Sequence, residues 1–552
     1  MTNQLFEKHK DLLYKSIKAL AERTFYTPYP EHPKAYSNEK NEEGKSDFSK
    51  KLNQNYEGLS KNNKTWIGEE VSPFWQTGLG IQYPKEKPEE IIKNASMACD
   101  DWRKTSLEMR AGILIESLER IEKRFFELAY ATMHTTGQSF MMAFQASGPH
   151  ANDRALEAIA LGFKEISQYP SELTWKKPLG KFDLTLKKSF KAIPKGIGLV
   201  IGCSTFPTWN SVPGLYANLI CGNAAIVKPH PKAIFPIAIV LEEIRNVLKE
   251  NKLSEDIVQL AADSVQEPVA KILAESPEIA IIDYTGGSSF GAYIEGLNKT
   301  CFTEKSGVNC VLLESTKSIA ETCQNIAFSA CLYSGQMCTA PQNIFIPEEG
   351  IKTEEGIIDY KTVLATLSDS LNNLIHHPKM GAGTLGAIQN DHTLKNIHAQ
   401  GNFGGKVILN HQEIQNQEFN AARVASPKLV ELEAENINIE KEYFGPIVFV
   451  IKCKTRHQAL QKMKNIAHKK GAITCAAYST DKTFSAEIEE EMNRVFTPVS
   501  FNFTGAAFVN QHAAFSDFHV SGGNPAGNAS FTDANFICKR FVWVGNRYAP
   551  ET

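Results

Sequence analysis

Short apolar runs alternate with stretches of helical periodicity between residues 197 and 284, and few folds accept that pattern. The apolar runs lie at 197–203, 224–227, 257–260 and 279–284. Between the second and third runs, apolar residues recur every three or four positions, at Ile237, Leu241, Ile244 and Leu248, which is typical of one helix face. This alternation predicts right-handed βαβ units and a mostly parallel sheet. We therefore predict an α/β protein with a doubly wound parallel-sheet domain.

Length and charge narrow the function. A chain of 552 residues exceeds what one hydrophobic core usually supports, so two or more domains are expected. A net charge of −3 gives no basic field that favours nucleic acid, and no apolar run reaches the roughly 20 residues of a membrane span. The eleven cysteines show no CxxC pairs, which favours a reducing cytoplasm and predicts no structural metal site. The expected partner is a small molecule.

Residues 1–66 differ in composition from the rest of the chain. A short amphipathic stretch is followed by a Pro-rich segment, 27–33, and then by a run rich in Lys, Glu, Asn and Ser. This composition predicts an irregular extension that is mobile over 38–54 and packs on the body through its aromatic side chains.

A glycine-rich turn follows the last predicted strand of the alternating region. It reads Thr285-Gly286-Gly287-Ser288-Ser289-Phe290-Gly291. Glycines at a strand-to-helix turn let a ligand approach the backbone, and the next helix N-terminus attracts phosphate oxygens. The turn predicts a dinucleotide site, although its spacing is not GxGxxG and a turn with no ligand is the more common interpretation.

A thiol and a carboxylate carry the candidate chemistry. Cys338 follows the small segment Ser334-Gly335-Gln336-Met337, and Glu304 lies upstream in Thr303-Glu304-Lys305-Ser306-Gly307. An unencumbered thiol attacks a carbonyl and a carboxylate acts as base, so this pair is suited to forming and then hydrolysing a thioester.

With the glycine turn, Glu304 and Cys338 in this order, the chain resembles the NAD(P)-dependent aldehyde dehydrogenase superfamily over about residues 67–545. Further matching segments are Phe-Pro at 206–207, Cys-Gly-Asn at 221–223, Val-Lys-Pro at 227–229 and Glu-Tyr-Phe-Gly-Pro at 442–446. The resemblance implies that Cys338 attacks the aldehyde and that Glu304 activates the hydrolytic water. It also implies a set of nucleotide-binding residues: Lys228, Thr285, Gly286, Gly287, Gly291, Glu442 and Phe444.

The chain departs from the family pattern at three places. Thr205 stands where the family has an oxyanion-hole Asn, so we expect Thr205 to take part of that role, with Asn210 nearby in sequence. Pro231 stands where NAD-preferring members have an acid that repels a 2′-phosphate, which favours NADP and leaves NAD open. The third departure is the segment 514–522, which reads Ala-Phe-Ser-Asp-Phe-His-Val-Ser-Gly.

These departures, together with the segment 27–33, resemble the PaaN group of aldehyde dehydrogenases of phenylacetic acid degradation in bacteria. Members of that group are associated with oxidising a ring-opened, CoA-linked semialdehyde to its acid. The resemblance therefore implies a small-molecule aldehyde as substrate, either free or as a CoA ester.

The implied architecture has four parts. Residues 1–66 form the N-terminal extension, 67–169 and 192–305 the NAD(P)-binding domain, and 306–508 an α/β catalytic domain that supplies Cys338. Residues 170–191 and 509–552 form a small β oligomerisation arm and the C-terminal segment. Exposed strand edges in such an arm need a partner, so a homodimer or a dimer of dimers is expected.

Three other functions stay open at this point. In a CoA-acylating aldehyde dehydrogenase, CoA rather than water accepts the acyl group, and a base at Glu304 has little use there. A non-catalytic scaffold or regulatory protein on the same fold is the second. The third is a cysteine hydrolase without a nucleotide, for which no histidine in the sequence stands out as the partner of the thiol.

Overall fold

The computed structural model describes residues 4–61, 64–378, 380–399, 401 and 403–549 of the chain. Within those ranges, no helix has the length and apolar character needed to cross a membrane.

The helices and strands follow one another in four stretches of the chain. The first contains α1 (Gln4–Glu22), α2 (Asn38–Lys51), β1 (Trp66–Ile67), β2 (Tyr83–Pro84), α3 (Pro88–Trp102), α4 (Leu107–Lys123), α5 (Phe125–Thr136), α6 (Phe140–Ser147), α7 (Pro149–Ser167), β3 (Glu172–Pro178) and β4 (Asp183–Pro194). The second contains β5 (Ile197–Ile201), α8 (Pro207–Ile220), β6 (Ala224–Lys228), α9 (Phe235–Glu250), β7 (Val258–Leu260), α10 (Ala270–Glu275), β8 (Ile279–Gly286), α11 (Ser288–Glu295) and β9 (Thr300–Lys305).

The third stretch contains β10 (Cys310–Leu313), α12 (Ile319–Cys331), β11 (Asn343–Pro347), β12 (Ile351–Thr353), β13 (Gly356–Ile358), α13 (Tyr360–Ile375), α14 (Gly381–Leu385), α15 (Asp391–Ala399), β14 (Lys406–Leu409), β15 (Lys428–Glu433), β16 (Ile447–Cys453), α16 (Arg456–Lys470), β17 (Cys475–Tyr478), α17 (Lys482–Asn493) and β18 (Val499–Phe501). The fourth contains α18 (Ala534–Cys538) and β19 (Phe541–Tyr548).

The alternating region forms a five-stranded parallel sheet of order β7-β6-β5-β8-β9. Along β5, Val200 packs on the side of α8 and α9, whereas Leu199 packs on the side of α3, α10 and α11, so both faces are covered. This confirms the predicted doubly wound α/β class. The chain reverses its direction of winding between β5 and β8, and the crevice at the carboxyl ends of those strands is where such sheets bind ligands.

A second sheet of seven strands has the order β14-β15-β16-β11-β10-β17-β18, with only β14 antiparallel to its neighbour. Residues 306–309 are all that separate β9 from β10. The carboxyl edge of the first sheet therefore faces the amino edge of the second, and the candidate site lies where these edges meet. A third, antiparallel sheet of order β19-β4-β3 stands apart from both.

The N-terminal extension is more ordered than its composition predicted. The expectation of irregular structure over 38–54 is wrong, because α2 occupies most of that range and its Phe48 is buried. A Cβ on Gly44 would lie only 2.4 Å from the Phe126 Cβ, so α2 lies directly on α5. Since the buried face of α2 offers little more than one glycine and one phenylalanine, no apolar periodicity revealed the helix. Aromatic packing on the body is confirmed, for example by Tyr29 against Phe125 at 6.0 Å between ring centroids.

Candidate active site

Cys338 lies in a strained loop between α12 and β11. Three consecutive residues before it, Tyr333, Ser334 and Gly335, have left-handed φ values of 53°, 51° and 65°. Two of them are not glycine, and such a conformation persists only where the surroundings over-determine it. Here the buried Ser334 hydroxyl donates to two carbonyl oxygens, at 2.9 and 3.1 Å. The loop is thereby fixed rather than free to sample other conformations.

The cysteine loop is also in direct contact with the Glu-x-Phe-Gly-Pro segment. A Cβ on Gly335 would lie 2.6 Å from the carbonyl oxygen of Gly445, so only glycine fits there. On the other side of the loop, the Asn309 amide donates to the Cys338 carbonyl oxygen at 2.6 Å and to that of Ala340 at 3.1 Å. The position of the thiol is therefore set by contacts from the segments that precede β10 and β16.

Glu304 stands at the end of β9 and is 1% exposed. Two side chains meet the same carboxylate oxygen, Oε2: the Asn210 amide donates to it at 3.2 Å, and His519 Nε2 lies 3.2 Å away. The Cys338 Sγ, a Glu304 oxygen and a His519 ring nitrogen all lie within 4.8 Å of one another. The structure therefore brings the two predicted catalytic groups together and adds two more side chains to them.

The environment keeps the Glu304 carboxyl ionised and the Cys338 thiol protonated. Burial, and then the nearby Glu304, raises the pKa of the Cys338 thiol well above its ordinary value. Burial also acts to raise the pKa of Glu304, but the favourable interactions with His519 and with the thiol outweigh it and leave that pKa lowered. At neutral pH a protonated thiol thus faces a charged carboxylate, which is suited to take a proton from the thiol or from water.

Thr205 is not placed as expected for an oxyanion donor. Its hydroxyl is directed at the Cys203 Sγ, 3.9 Å away, and its carbonyl accepts from the Gln138 amide at 2.8 Å. Among the described residues that line the cavity in front of Cys338, Asn210 is present and Thr205 is not. Asn210 belongs to the first turn of α8, and the sequence identified it only as a neighbour of Thr205.

The cavity has a volume of about 750 Å³ and combines an apolar mouth with a polar wall. Its aromatic lining is Phe206, Trp209, Phe328, Phe501, Phe503, Phe508 and Phe518. The polar wall includes His150 and Arg154 of α7 and His512 of the C-terminal segment.

Hydrogen-bonding capacity is left over in that polar wall. Both ring nitrogens of His512 and the Nε of Arg154 are buried without a hydrogen-bond partner in the described chain. His512 Nε2 does lie 3.5 Å from an Asp153 oxygen, but that approach lacks hydrogen-bond geometry. Burying a polar group without a partner costs about 1–3 kcal/mol, so the wall is suited to a ligand that brings oxygen atoms.

Lys228 and the glycine turn, which the sequence predicts to bind the nucleotide, both belong to the first sheet and its connections. Lys228 ends β6, is 7% exposed, and its Nζ lies 2.9 Å from Asp263 Oδ2. Gly287 caps α11, and a Cβ there would meet nothing, so its backbone faces open space. Gly286 and Gly291 are required by packing instead, because their Cβ atoms would clash with neighbouring side chains at 2.6 and 2.5 Å. Thr285 pairs with Glu304 across β8 and β9.

The other two residues predicted to bind the nucleotide, Glu442 and Phe444, lie in the segment before β16. Glu442 is half-buried, and burial raises its pKa to about 7, although hydrogen bonds with Ser306 and the Gly307 N–H oppose that rise. Phe444, also half-buried, is two residues further on. Because Glu442 stands next to the loop that joins β9 to β10, the residues assigned to the nucleotide and those assigned to the chemistry lie at one junction.

The sequence profile of the aldehyde dehydrogenase family matches residues 76–516, which is most of the chain. The chain belongs to the aldehyde dehydrogenase family. A crystal structure of an NAD-dependent aldehyde dehydrogenase from Burkholderia multivorans is 41% identical, covers 100% of both chains and has a TM-score of 0.96.

More distant relatives belong to other branches of the family. 1-Pyrroline-5-carboxylate dehydrogenase 2 of Bacillus subtilis (strain 168) is 22% identical over 455 residues, which are 79% of this chain and 82% of that protein. Aldehyde dehydrogenase family 7 member A1 of Malus domestica is 25% identical over 280 residues, so that this chain spans about half (51%) of that relative.

Sequence reasoning missed three groups in this family member. His519 lies in the segment 514–522, which was recognised as unusual, but nothing in the sequence linked it to Glu304. Asp263 and the pair of Arg154 and His512 had no motif around them. They come from chain segments far from Cys338, and only the fold brings them to the crevice and the cavity.

Proposed function

We propose that this aldehyde dehydrogenase oxidises an aldehyde to a carboxylic acid through a Cys338 thioester that water hydrolyses with Glu304 as base. The observation that supports this most is the buried Glu304 carboxylate beside Cys338, which itself lines a cavity of about 750 Å³. A buried carboxylate next to a reactive thiol has a clear use in hydrolysis. It has little use when a second thiol, that of CoA, is the acyl acceptor.

The residues divide the work in the following way. Cys338 Sγ bonds to the aldehyde carbon as the thiol proton passes to solvent in the cavity. The bound nucleotide supplies the hydride acceptor that converts the hemithioacetal to a thioester. Water then attacks that carbonyl, its proton passes to Glu304, and the carbon–sulfur bond breaks to release the acid. The Asn210 amide and the Cys338 backbone N–H are the nearest candidates to hold the oxyanion.

For the substrate we propose the ring-opened, CoA-linked semialdehyde of bacterial phenylacetate degradation. The support is the resemblance of the segments 27–33 and 514–522 to the PaaN group, together with the large cavity. Unpartnered nitrogens of Arg154 and His512 offer donors to a substrate that carries oxygen functions besides its aldehyde. A free aldehyde without such groups leaves these donors unsatisfied.

Both nucleotides fit the residues that are present. Pro231 places no carboxylate at the usual acidic position, which favours NADP. Asp263, at 2.9 Å from the Lys228 Nζ, supplies a carboxylate from the segment after β7 instead, and this favours NAD. We propose that Asp263 decides the balance between them, and rates measured at equal NAD and NADP concentrations test this.

Assembly through the three-stranded sheet is the proposed quaternary arrangement. The strands β3 and β19 are its edges, and Leu184, Ile193, Val542 and Val544 of β4 and β19 are exposed. Apolar side chains on open edges favour a homodimer or a dimer of dimers. All eleven cysteines are free thiols, which supports a reducing compartment such as the cytoplasm.

The test compares Cys338→Ser and Glu304→Gln with Cys538→Ser, a control at an exposed cysteine. Reduced nucleotide and free acid are measured without CoA, on free aldehydes and on CoA-ester semialdehydes. We expect Cys338→Ser to abolish turnover, Glu304→Gln to form the thioester but hydrolyse it slowly, and Cys538→Ser to match the wild type. Strict dependence on CoA as acyl acceptor, or full activity in Cys338→Ser, refutes the proposal.

A further inference from the structure

His519 occupies a backbone turn that is held under strain beside the nucleophile. Val520, the next residue, has a φ of +59°, a left-handed conformation that a β-branched side chain rarely adopts. Such a conformation is unfavourable for a β-branched residue, so the turn persists only because its surroundings hold it. Val520 is 2% exposed and belongs to a small apolar cluster with Ile473 and Ala526, against which Cys338 packs.

The imidazole of His519 is enclosed on several sides. The edge of Trp209 meets it at 4.7 Å between ring centroids, and Phe531 is tilted against it at 5.6 Å. Its Nε2 lies 3.2 Å from Glu304 Oε2, and its side chain is only 10% exposed. A ring fixed in this way has one charged neighbour within hydrogen-bond reach, which is the carboxylate of Glu304.

The carboxylate needs such a partner because it is buried. Two cavity-lining side chains hydrogen-bond to Glu304, and Asn210 carries no charge, whereas His519 can. The other titratable or charged groups around the ring are Cys338, His512 and Arg154, whose guanidinium lies 4.9 Å from the centre of the Trp209 ring. Asp517, two residues before His519, lines the same cavity, and its carboxylate accepts from the Ser516 hydroxyl.

We propose that His519 is a positioning residue for the deacylating base, which keeps the Glu304 carboxylate ionised and oriented toward the thioester. The inference rests on the proposed function, since it assigns His519 a role only in the hydrolytic half of the reaction. Acylation requires the thiol and the nucleotide, whereas the hydrogen-bonded partner of the His519 ring is Glu304.

The pH dependence follows from the charges. A protonated His519 stabilises the ionised carboxylate and holds the pKa of Glu304 down, against the opposing effect of burial. Without His519 the burial effect dominates, so the pKa of Glu304 rises and the base is lost at a higher pH. The acid limb of the hydrolysis rate should therefore move to higher pH, by about one unit or more.

The experiment uses the full-length enzyme and compares His519→Ala and His519→Gln with His457→Gln. His457 also faces a glutamate, Glu487, but that pair is exposed and 3.7 Å apart. Rapid mixing with nucleotide and aldehyde separates a burst of reduced nucleotide, which reports thioester formation, from the slower steady state, which reports hydrolysis. Hydroxylamine is then added as an acyl acceptor that attacks a thioester without a general base.

We expect both His519 variants to keep a full burst, to show the displaced acid limb, and to turn over about tenfold more slowly on that limb, where the carboxylate is protonated in the variants and ionised in the wild type. Hydroxylamine should restore their turnover, and the control should match the wild type. The assignment is overturned if the His519 variants hydrolyse the thioester at the wild-type rate with an acid limb at the wild-type pH. Loss of the burst in His519→Gln also overturns it. A wild-type enzyme that gives no burst refutes the proposed function instead, so the two failures are distinguishable.

Discussion

Replacing the buried Arg540 by methionine is predicted to destabilise the fold by about 3–5 kcal/mol. The guanidinium is fully buried and donates to both oxygens of Asp283, at 2.8 and 2.6 Å, as well as to Asn218 Oδ1 at 2.9 Å. After Arg540→Met, Asp283 keeps only the amide of Asn218, at 3.0 Å. Two hydrogen bonds to a charged group are lost, each worth about 1.5–3 kcal/mol, while methionine still packs on the rings that Arg540 covered.

Urea titrations followed by tryptophan fluorescence measure the effect, with Arg494→Met as a control because Arg494 pairs with glutamates at the surface. The double variant Asp283→Asn with Arg540→Met removes both charges, so it should recover most of the lost stability. A loss below about 1 kcal/mol in the single variant, or a double variant no better than the single one, refutes the reasoning.

Three further predictions concern catalysis. Because burial raises the pKa of Glu442 to about 7, its carboxylate loses its charge as the pH falls from 7 to 6. The KM for nucleotide should therefore rise about fivefold over that range. Glu442→Gln should abolish this pH dependence of KM. Asp263→Asn removes the carboxylate that opposes the Lys228 charge, so the ratio of NADP to NAD activity should increase about tenfold. An unchanged ratio would show that Asp263 does not face the ribose. Asn210→Ala should lower single-turnover acylation about 100-fold while Thr205→Ala stays near wild type, and the reverse ranking would return the oxyanion role to Thr205.

The fold was readable from the sequence because its signals are local. Each predicted strand of the alternating region is present, since a buried parallel strand is a continuous apolar run that needs no partner to be recognised. The sequence did not predict helix α2, because the signal for this helix is not local. Its buried face consists of Gly44 and Phe48, which pack against side-chain and backbone atoms of α5. Those contacts are not visible in the sequence of α2 itself.

The catalytic pair was equally readable, because short segments surround both Cys338 and Glu304. Their partners were not, since nothing local to His519 indicates that a strained turn brings it to Glu304 across more than 200 positions of chain (215). The acid at Asp263 and the donors of the polar wall were missed for the same reason. Such groups are assembled by topology, and one sequence does not show which segments the topology brings together.

The contacts between the N-terminal extension and α7 have a consequence for engineering this enzyme. The Thr27 hydroxyl donates to Asp153 at 3.1 Å, and Glu31 lies 3.4 Å from His150, so the N-terminal extension braces α7 from behind. α1 packs on the same helix. Since α7 carries part of the cavity wall, exchanging the extension between family members should retune substrate range without changing any residue that the substrate touches. Fusions of the remaining chain to other proteins should therefore retain the N-terminal extension.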